Sequence, residues 1–168
     1  GDDPVTVFSS LAKASRKWSE RTGERGDLII AGIMDERDIQ KLLKWHNTSI
    51  GTDGSLDDKH PRGKGTYPKI LSRYVREKKV ISLETAIYKM TFLPATQLGI
   101  TNRGLIKPGA YADLLLLDPE SIKDHATMEN SSMLSEGILA AWVNGQPTFG
   151  GELHTGRFPG RIIRRGDF

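Results

Sequence analysis

Two short apolar runs, each followed by a stretch with helical spacing, most constrain how this chain can fold. The first run is Leu28 to Ile33, and a helix with Asp35 at its N-cap is predicted to follow it. The second run, from Thr48 to Asp53, also precedes helical spacing. Strands that alternate with helices predict right-handed βαβ units and a parallel sheet. Because two strands are too few for such a sheet, we expect residues 5–98 to be part of a larger sheet or barrel.

The helices of this first half are predicted from apolar residues at helical spacing. Ser82 is expected to cap the last of them, and Gly23 to end the first. The predicted helices cover Val7 to Trp18, the stretch containing Ile39, Leu42 and Leu43, the stretch from Tyr67 to Val75, and the stretch from Ser82 to about Leu98.

The second half, from Gly99 onward, has the pattern of a β structure. Asn144-Gly145 between two apolar runs predicts a hairpin, because these residues accept the positive φ of a type I′ turn. The remaining predictions here are a turn at Lys107-Pro108-Gly109, a strand from Tyr111 closed by Asp118-Pro119, the hairpin strands Ile138 to Val143 and Gln146 to Phe149, and a last strand at Arg161 to Arg164.

Composition excludes several classes of protein. The 168 residues suit about one domain, and no apolar run reaches the roughly 18 residues of a membrane span, so no membrane partner is expected. The 24 basic and 21 acidic residues are interspersed, which argues against nucleic acid as a partner. The basic tail is interpreted as charge on an edge strand; it comprises Arg157, Arg161, Arg164 and Arg165. With no cysteine there is no thiol nucleophile, and the cytoplasm is the default expectation.

The candidate active site is the loop from Asp53 to Arg62. An apolar run delivers the Asp53 carboxylate into a turn at Gly54, and His60 and Arg62 follow in a polar loop. From the residues alone the alternatives stay open. An Asp before Gly is often a turn residue or a helix cap, and Arg62 and His60 suit an ordinary solvated loop. The other histidines, His46, His125 and His154, lack the spacing of metal ligands and are expected to be structural or at the surface.

A family resemblance covers most of the chain. The run IGTDGSLDDKHPRGKGTYPKILSRYV, the later IKPGAYADLLLLDP, the AWVNGQPTF hairpin and the closing PGRIIRR closely resemble the C-terminal part of the N-acyl-D-amino-acid deacylases, or D-aminoacylases. These enzymes belong to the metal-dependent amidohydrolase superfamily. The resemblance holds from about Gly51 to Arg165, and the IGTDG, HPR and GTYPK elements indicate this branch in particular.

The resemblance implies an α/β fold: the C-terminal portion of a (β/α)8 TIM-like barrel plus part of a small β-sandwich made from both chain ends. Residues 1–98 would supply the last strands and helices of the barrel, with the two strands beginning near residue 27. Residues 99–168 would be the C-terminal share of the sandwich, built from 103–118 and 137–165. The family's His-x-His motif and its other histidine ligands have no match in this sequence, so the remainder of the same polypeptide is an expected partner.

The resemblance also implies roles for the loop residues. Asp53 matches the catalytic aspartate that exchanges a proton beside a Zn²⁺-bound water, and it is a possible metal ligand. Arg62 matches an arginine near the α-carboxylate of an N-acyl amino acid, and His60 is a weaker candidate for substrate binding. The runner-up function is a cyclic amidohydrolase of the dihydropyrimidinase or D-hydantoinase type. A non-catalytic remnant or binding module is the alternative from another class, and the 168 residues alone are expected to be inactive.

Overall fold

The computed structural model describes residues 34–54, 60–151 and 153–164. The chain divides into one unit from Gly1 to Asp35 and a second from Glu36 to Phe168, and the helices and strands given below all belong to the second. The predicted helix Val7 to Trp18 and the predicted strand Leu28 to Ile33 lie outside the described residues. None of the helices in the described part is both long enough and apolar enough to cross a membrane.

The helix expected after Asp35 is confirmed as α1, Glu36–Lys44. Its first turn carries Glu36 and Asp38, and its last turn carries Lys41 and Lys44. This arrangement complements the helix dipole, which favours negative charge at the N-terminus and positive charge at the C-terminus. The helix buries Leu43 against the core.

The helix predicted around Tyr67 to Val75 is also confirmed, with a change of geometry along it. Helix α2 spans Arg62–Lys69, and the chain continues directly as a π-helix over Ile70–Glu77. Pro68 lies inside α2 and has no N–H to donate, which removes one α-helical hydrogen bond just before the wider π pattern begins. The π-helix buries Ile70, Leu71 and Tyr74.

The helix predicted from Ser82 to Leu98 begins as expected but is broken in the middle. Ser82 caps α3, Leu83–Met90, because its Oγ accepts a hydrogen bond from the N–H of Thr85 at 3.2 Å. The chain then breaks at Thr91, and α4 covers Phe92–Gln97. Pro94 accounts for the break, since proline cannot bond to the carbonyl four residues earlier and its ring clashes with it.

The predicted strand Thr48 to Asp53 is wrong, because residues 48–54 follow an irregular path. A strand needs a neighbouring strand to bond with, and the N–H of Ile50 instead donates to the carbonyl of Lys89 in α3 at 2.9 Å. Within residues 34–54, 60–151 and 153–164, the sheet that forms is antiparallel throughout.

This antiparallel sheet lies in the second half and has the strand order β1-β2-β3-β4. The predicted hairpin is confirmed, with φ of 50° at Asn144 and 77° at Gly145, and Gly109 with φ of 85° confirms the turn after Lys107. The strand predicted from Tyr111 is shorter than expected. The four strands are β1 Leu114–Leu117, β2 Ile138–Val143, β3 Gln146–Gly150 and β4 Leu153–His154.

The predicted last strand, Arg161 to Arg164, is also wrong, because these residues are not part of the sheet. The C-terminal tail is held by side-chain hydrogen bonds, whereas a strand would be held by main-chain hydrogen bonds. Arg161 Nη2 donates to the hydroxyl of Tyr111 at 2.7 Å and its guanidinium lies over that ring. Asn144 Nδ2 donates to the carbonyl of Pro159 at 2.7 Å. The interpretation of the basic tail as an edge strand therefore fails with the strand itself.

The hydrophobic core lies mainly among the helices. Its buried members are Leu43, Ile50, Ile70, Leu71, Tyr74, Ala86 and Ile122. Ile122, which is 1% exposed, is the member contributed by the second half. Arg76 fixes it in place by donating to the carbonyls of Pro119 and Ile122, each at 2.9 Å.

Candidate active site

Asp53 lies at the surface in a left-handed backbone conformation, with φ of 50°. Aspartate tolerates this region better than most residues because its short polar side chain can bond locally. The side chain is 88% exposed, so the carboxylate is open to a ligand. The sequence assigned the bend to Gly54, whereas the structure places the unusual φ on Asp53 itself.

Gly54 is required by space. A Cβ atom on this residue would lie 2.5 Å from Cα of Gly63, closer than atoms can pack. Two glycines therefore bring the end of the Asp53 segment into direct contact with the first turn of α2. The N–H of Gly54 also donates to Oγ1 of Thr52 at 3.1 Å, which closes the turn.

This contact brings the predicted catalytic and substrate-binding residues together. Arg62 Nη1 lies 2.9 Å from Asp53 Oδ2, an ion pair between the first residue of α2 and the irregular segment. The Arg62 side chain is 35% exposed, so it is partly held by its surroundings. A surface pair of this kind contributes little stability, so its interest lies in placing a carboxylate and a guanidinium side by side.

His60 has a definite position at the start of α2. Its Nδ1 accepts a hydrogen bond from the main-chain N–H of Arg62 at 3.0 Å. This bond satisfies one of the N–H groups that a helix start leaves without a helical acceptor. The carbonyl of Arg62 in turn accepts from Oγ1 of Thr66 at 2.8 Å. His60 therefore helps to orient Arg62, and a contact between His60 and a substrate stays a prediction.

The segment leading to Asp53 is anchored by a residue that the sequence analysis missed. Lys89 is 2% exposed, and its ammonium donates to the carbonyls of Trp45 and Thr48, the latter at 3.0 Å. Burial lowers the pKa of Lys89. The available signal was its place on α3, three residues after the fully buried Ala86 and therefore on the same helix face.

Two of the other histidines have polar partners outside residues 53–62. His125 Nε2 is 3.2 Å from Glu136 Oε2, and His154 Nδ1 accepts from the N–H of Gly156 at 3.0 Å. In the part of the chain that the structure describes, no three His, Asp or Glu side chains come together as a metal site would require. Asp53 can therefore supply one ligand, and a complete set would need groups from elsewhere.

Comparisons with known proteins identify the family. A model of the amidohydrolase family matches residues 39–149, which include the whole candidate site. The chain belongs to the amidohydrolase family. It is 42% identical to an N-acyl-D-aspartate deacylase of Alcaligenes xylosoxydans xylosoxydans over 99% of this chain and 34% of that protein. Dihydroorotases also match, over a smaller part of the chain; one from Lactobacillus johnsonii is 41% identical over 67% of this chain.

Solved structures agree with this relationship. One is a D-aminoacylase studied for the role of its binuclear metal centre, which matches with a TM-score of 0.75 and 41% identity. Another is an N-acyl-D-glutamate deacylase from Bordetella bronchiseptica in complex with zinc and a phosphonate inhibitor, with a TM-score of 0.72 and 37% identity. Each match covers 79% of this chain and 28% of the other. The α/β fold of this chain therefore matches part of a D-aminoacylase, and the chain spans about a third of the length of its relatives.

Proposed function

We propose that the protein to which this chain belongs hydrolyses the amide bond of N-acyl-D-amino acids, releasing a carboxylate and a free D-amino acid. The observation that carries this proposal is the Asp53–Arg62 pair, in which a proton-accepting group lies 2.9 Å from a carboxylate-binding group. The proposal is also supported because this chain belongs to the amidohydrolase family and resembles an N-acyl-D-aspartate deacylase along most of its length.

Asp53 is proposed as the proton-transfer group. Its exposed carboxylate accepts a proton from the water whose oxygen attacks the amide carbon. When the C–N bond breaks, the same proton passes to the leaving amine nitrogen, so the carboxylate is regenerated. An aspartate at the end of a segment fixed by α2 and α3 suits this role, since proton transfer requires hydrogen-bond distance and alignment.

Arg62 is proposed to bind the α-carboxylate of the substrate. A guanidinium forms two parallel hydrogen bonds to a carboxylate, and the ion pair with Asp53 shows that Nη1 already reaches a carboxylate on this side of α2. His60 accepts a hydrogen bond from the main-chain N–H of Arg62 and so fixes the position of the arginine's main chain. We propose that the imidazole also borders the substrate pocket.

A metal ion is part of the proposal, and Zn²⁺ is the metal that we propose. When bound, such an ion polarises the scissile carbonyl and lowers the pKa of a coordinated water. Among the described residues Asp53 fits one ligand position and the histidines do not converge on it. The remaining ligands are proposed to lie outside the described residues, in the remainder of the same polypeptide.

The division of the chain is likewise a proposal: residues 1–98 in the last part of a (β/α)8 barrel, and 99–168 in a β-sandwich. The exposed leucines of β1 support it. Leu114, Leu115 and Leu116 are 37%, 54% and 51% exposed, although successive residues of a strand face opposite sides of the sheet. A strand that exposes leucine on both faces suits a sheet whose faces are covered by further parts of the same polypeptide.

The test is an assay of the complete open reading frame that encodes this chain. Purified protein is given N-acetyl-D-aspartate, N-acetyl-D-glutamate and N-acetyl-D-leucine, with the L enantiomers and a hydantoin as controls, while bound metal is measured by mass spectrometry. We expect free amine from D substrates, loss of activity with a chelator and recovery with Zn²⁺. The 168 residues alone are expected to be inactive.

Each alternative function predicts a different result in this assay. Turnover of the hydantoin without turnover of the linear amides would indicate a cyclic amidohydrolase. Protein that neither holds metal nor turns over any amide would indicate the non-catalytic binding module.

A further inference from the structure

We infer that Lys89 is a positioning residue for Asp53: by binding the main chain of residues 45–50, it sets where the proposed proton-transfer carboxylate lies. This inference rests on the proposed function and adds to it a residue that never touches the substrate.

Lys89 contacts three peptide groups of one segment. Its ammonium donates to the carbonyls of Trp45 and Thr48, and its own carbonyl accepts from the N–H of Ile50 at 2.9 Å. Residues 48–54 form no regular element, so these bonds take the place of the ladder that would fix a strand. The segment is therefore ordered by a side chain and a carbonyl of α3.

The choice of a lysine at a buried position supports a specific task. An ammonium is costly to remove from water unless its hydrogen bonds are replaced, and Lys89 is 2% exposed. The Trp45 carbonyl lies just beyond the C-terminus of α1, where the helix dipole favours a positive charge. An apolar residue would avoid the cost of burial but would leave both carbonyls without this donor.

The distance from Lys89 to the site is short along the chain. Ile50 is buried, and only Gly51 and Thr52 separate it from Asp53. Beyond Asp53, Gly54 packs on Gly63, so the segment is held at both ends. Tyr67 adds a weaker contact in between, since its hydroxyl donates to the carbonyl of Ile50 at 3.4 Å. Release of the Lys89 end would let Asp53 shift relative to Arg62.

The experiment compares Lys89→Met with Lys89→Arg in the complete open reading frame. Methionine keeps the length and apolar character of the side chain and removes the donors, whereas arginine keeps a charged donor. The matched control is Lys44→Met, the same chemical change at an exposed lysine of α1. The readouts are kcat and KM per folded, metal-loaded enzyme, and amide hydrogen exchange over residues 45–54.

We expect Lys89→Met to lower kcat about tenfold or more while KM changes less than about threefold, because small displacements of a reacting group are costly. Exchange over residues 45–54 should rise, Lys89→Arg should recover part of kcat, and Lys44→Met should match the wild type. Should Lys89→Met fail to fold, Lys89→Gln is compared with Lys89→Arg in its place, because its side chain is too short to carry a donor as far as lysine does.

Two other outcomes separate this inference from the proposed function. If exchange rises but kcat per folded enzyme is unchanged, or if exchange is unchanged, Lys89 has no positioning role for Asp53 and the inference is overturned. If the wild type itself turns over no N-acyl-D-amino acid, the proposed function fails instead.

Discussion

The helical half and the β half of the described chain use apolar residues in opposite ways. Residues 34–98 bury theirs against each other, and all but one of the core members named above belong to this half. The β half instead exposes three leucines of its most apolar run, Leu114, Leu115 and Leu116, and contributes one buried residue, Ile122, with Leu117 and Ile138 half-buried against the core. An apolar sequence pattern therefore identifies a surface that must be covered, but it does not identify the chain segment that covers it.

Polar contacts differ between the two halves as well. In the helical half Glu36 of α1 accepts from Arg73 and Tyr74 of the π-helix, each at 3.3 Å, and pairs with Lys78 just after it. These contacts join elements far apart in sequence. In the β half Arg103 pairs with Asp113 and donates to Asn144 Oδ1, which ties the hairpin turn to the chain just before β1. The polar contacts of the helical half thus hold helices together, whereas those of the β half hold the hairpin turn and the C-terminal tail in place.

The largest expected effect tests whether the helical half carries the chemistry. Asp53→Asn preserves the shape of the side chain and removes the proton acceptor. In the complete protein we expect kcat to fall about 10²- to 10⁴-fold, with KM and the unfolding temperature nearly unchanged. Steady-state kinetics and thermal unfolding measure this, and a loss under about tenfold would make Asp53 a turn residue only.

A matched pair of leucine-to-alanine substitutions tests the difference in burial between the two halves. In the 168-residue chain Leu71→Ala should lower the free energy of unfolding by about 2–5 kcal/mol, because Leu71 is buried. Leu115→Ala should stay within about 0.5 kcal/mol, because Leu115 is 54% exposed. Urea unfolding gives both values.

The same two substitutions in the complete protein test whether further chain covers β1. If further chain covers β1, Leu115→Ala should become as costly there as Leu71→Ala, again about 2–5 kcal/mol. A variant that stays neutral in the complete protein would show that β1 remains uncovered.

A smaller effect tests the assignment of Arg62 to the substrate. Arg62→Lys keeps the charge but loses the two-pronged geometry, so KM should rise more than kcat falls. The loss of binding should be on the order of 1.5–3 kcal/mol, as for hydrogen bonds to charged groups. The control substrate replaces the α-carboxylate with an amide, for which wild type and variant should differ little. Equal discrimination between acid and amide by both proteins would place the anion receptor elsewhere.

The smallest effect concerns pH and the contacts of Glu36. Hydrogen bonds from Lys78 and Gln40 lower the pKa of Glu36 below its ordinary value of 4.5. Its contribution to stability is therefore fully present above pH 4.5 and is lost as the pH falls through the folded-state pKa. Glu36→Gln should flatten the fall of the unfolding temperature across this acid range. If the unfolding temperature falls with pH in the same way for both proteins, Glu36 does not stabilise the contact between α1 and the π-helix.

The sequence predicted the elements that depend on local signals. Ser82 is a helix cap and Asn144-Gly145 a hairpin turn because their own chemistry favours those conformations. It failed where a distant partner decides: residues 48–53 have a strand's composition but bond to Lys89, and Arg161 binds Tyr111 without entering the sheet. At the site, the family motif predicted separate roles for Asp53 and Arg62, which stay predictions, whereas their ion pair and the contacts of Gly63 and Lys89 depend on packing that no local pattern encodes.

The contact between Gly54 and Gly63 has a consequence for how this site can be re-engineered. Because Gly54 and Gly63 are in contact through packing, the two chain ends that meet there stay close whatever the length of the connection between them. Closing a longer loop is inexpensive, at about 0.6 kcal/mol for each doubling. Segments of different length and charge can therefore be grafted between Gly54 and His60, with Asp53, His60 and Arg62 kept, to select under the proposed function for the acyl group or the side chain.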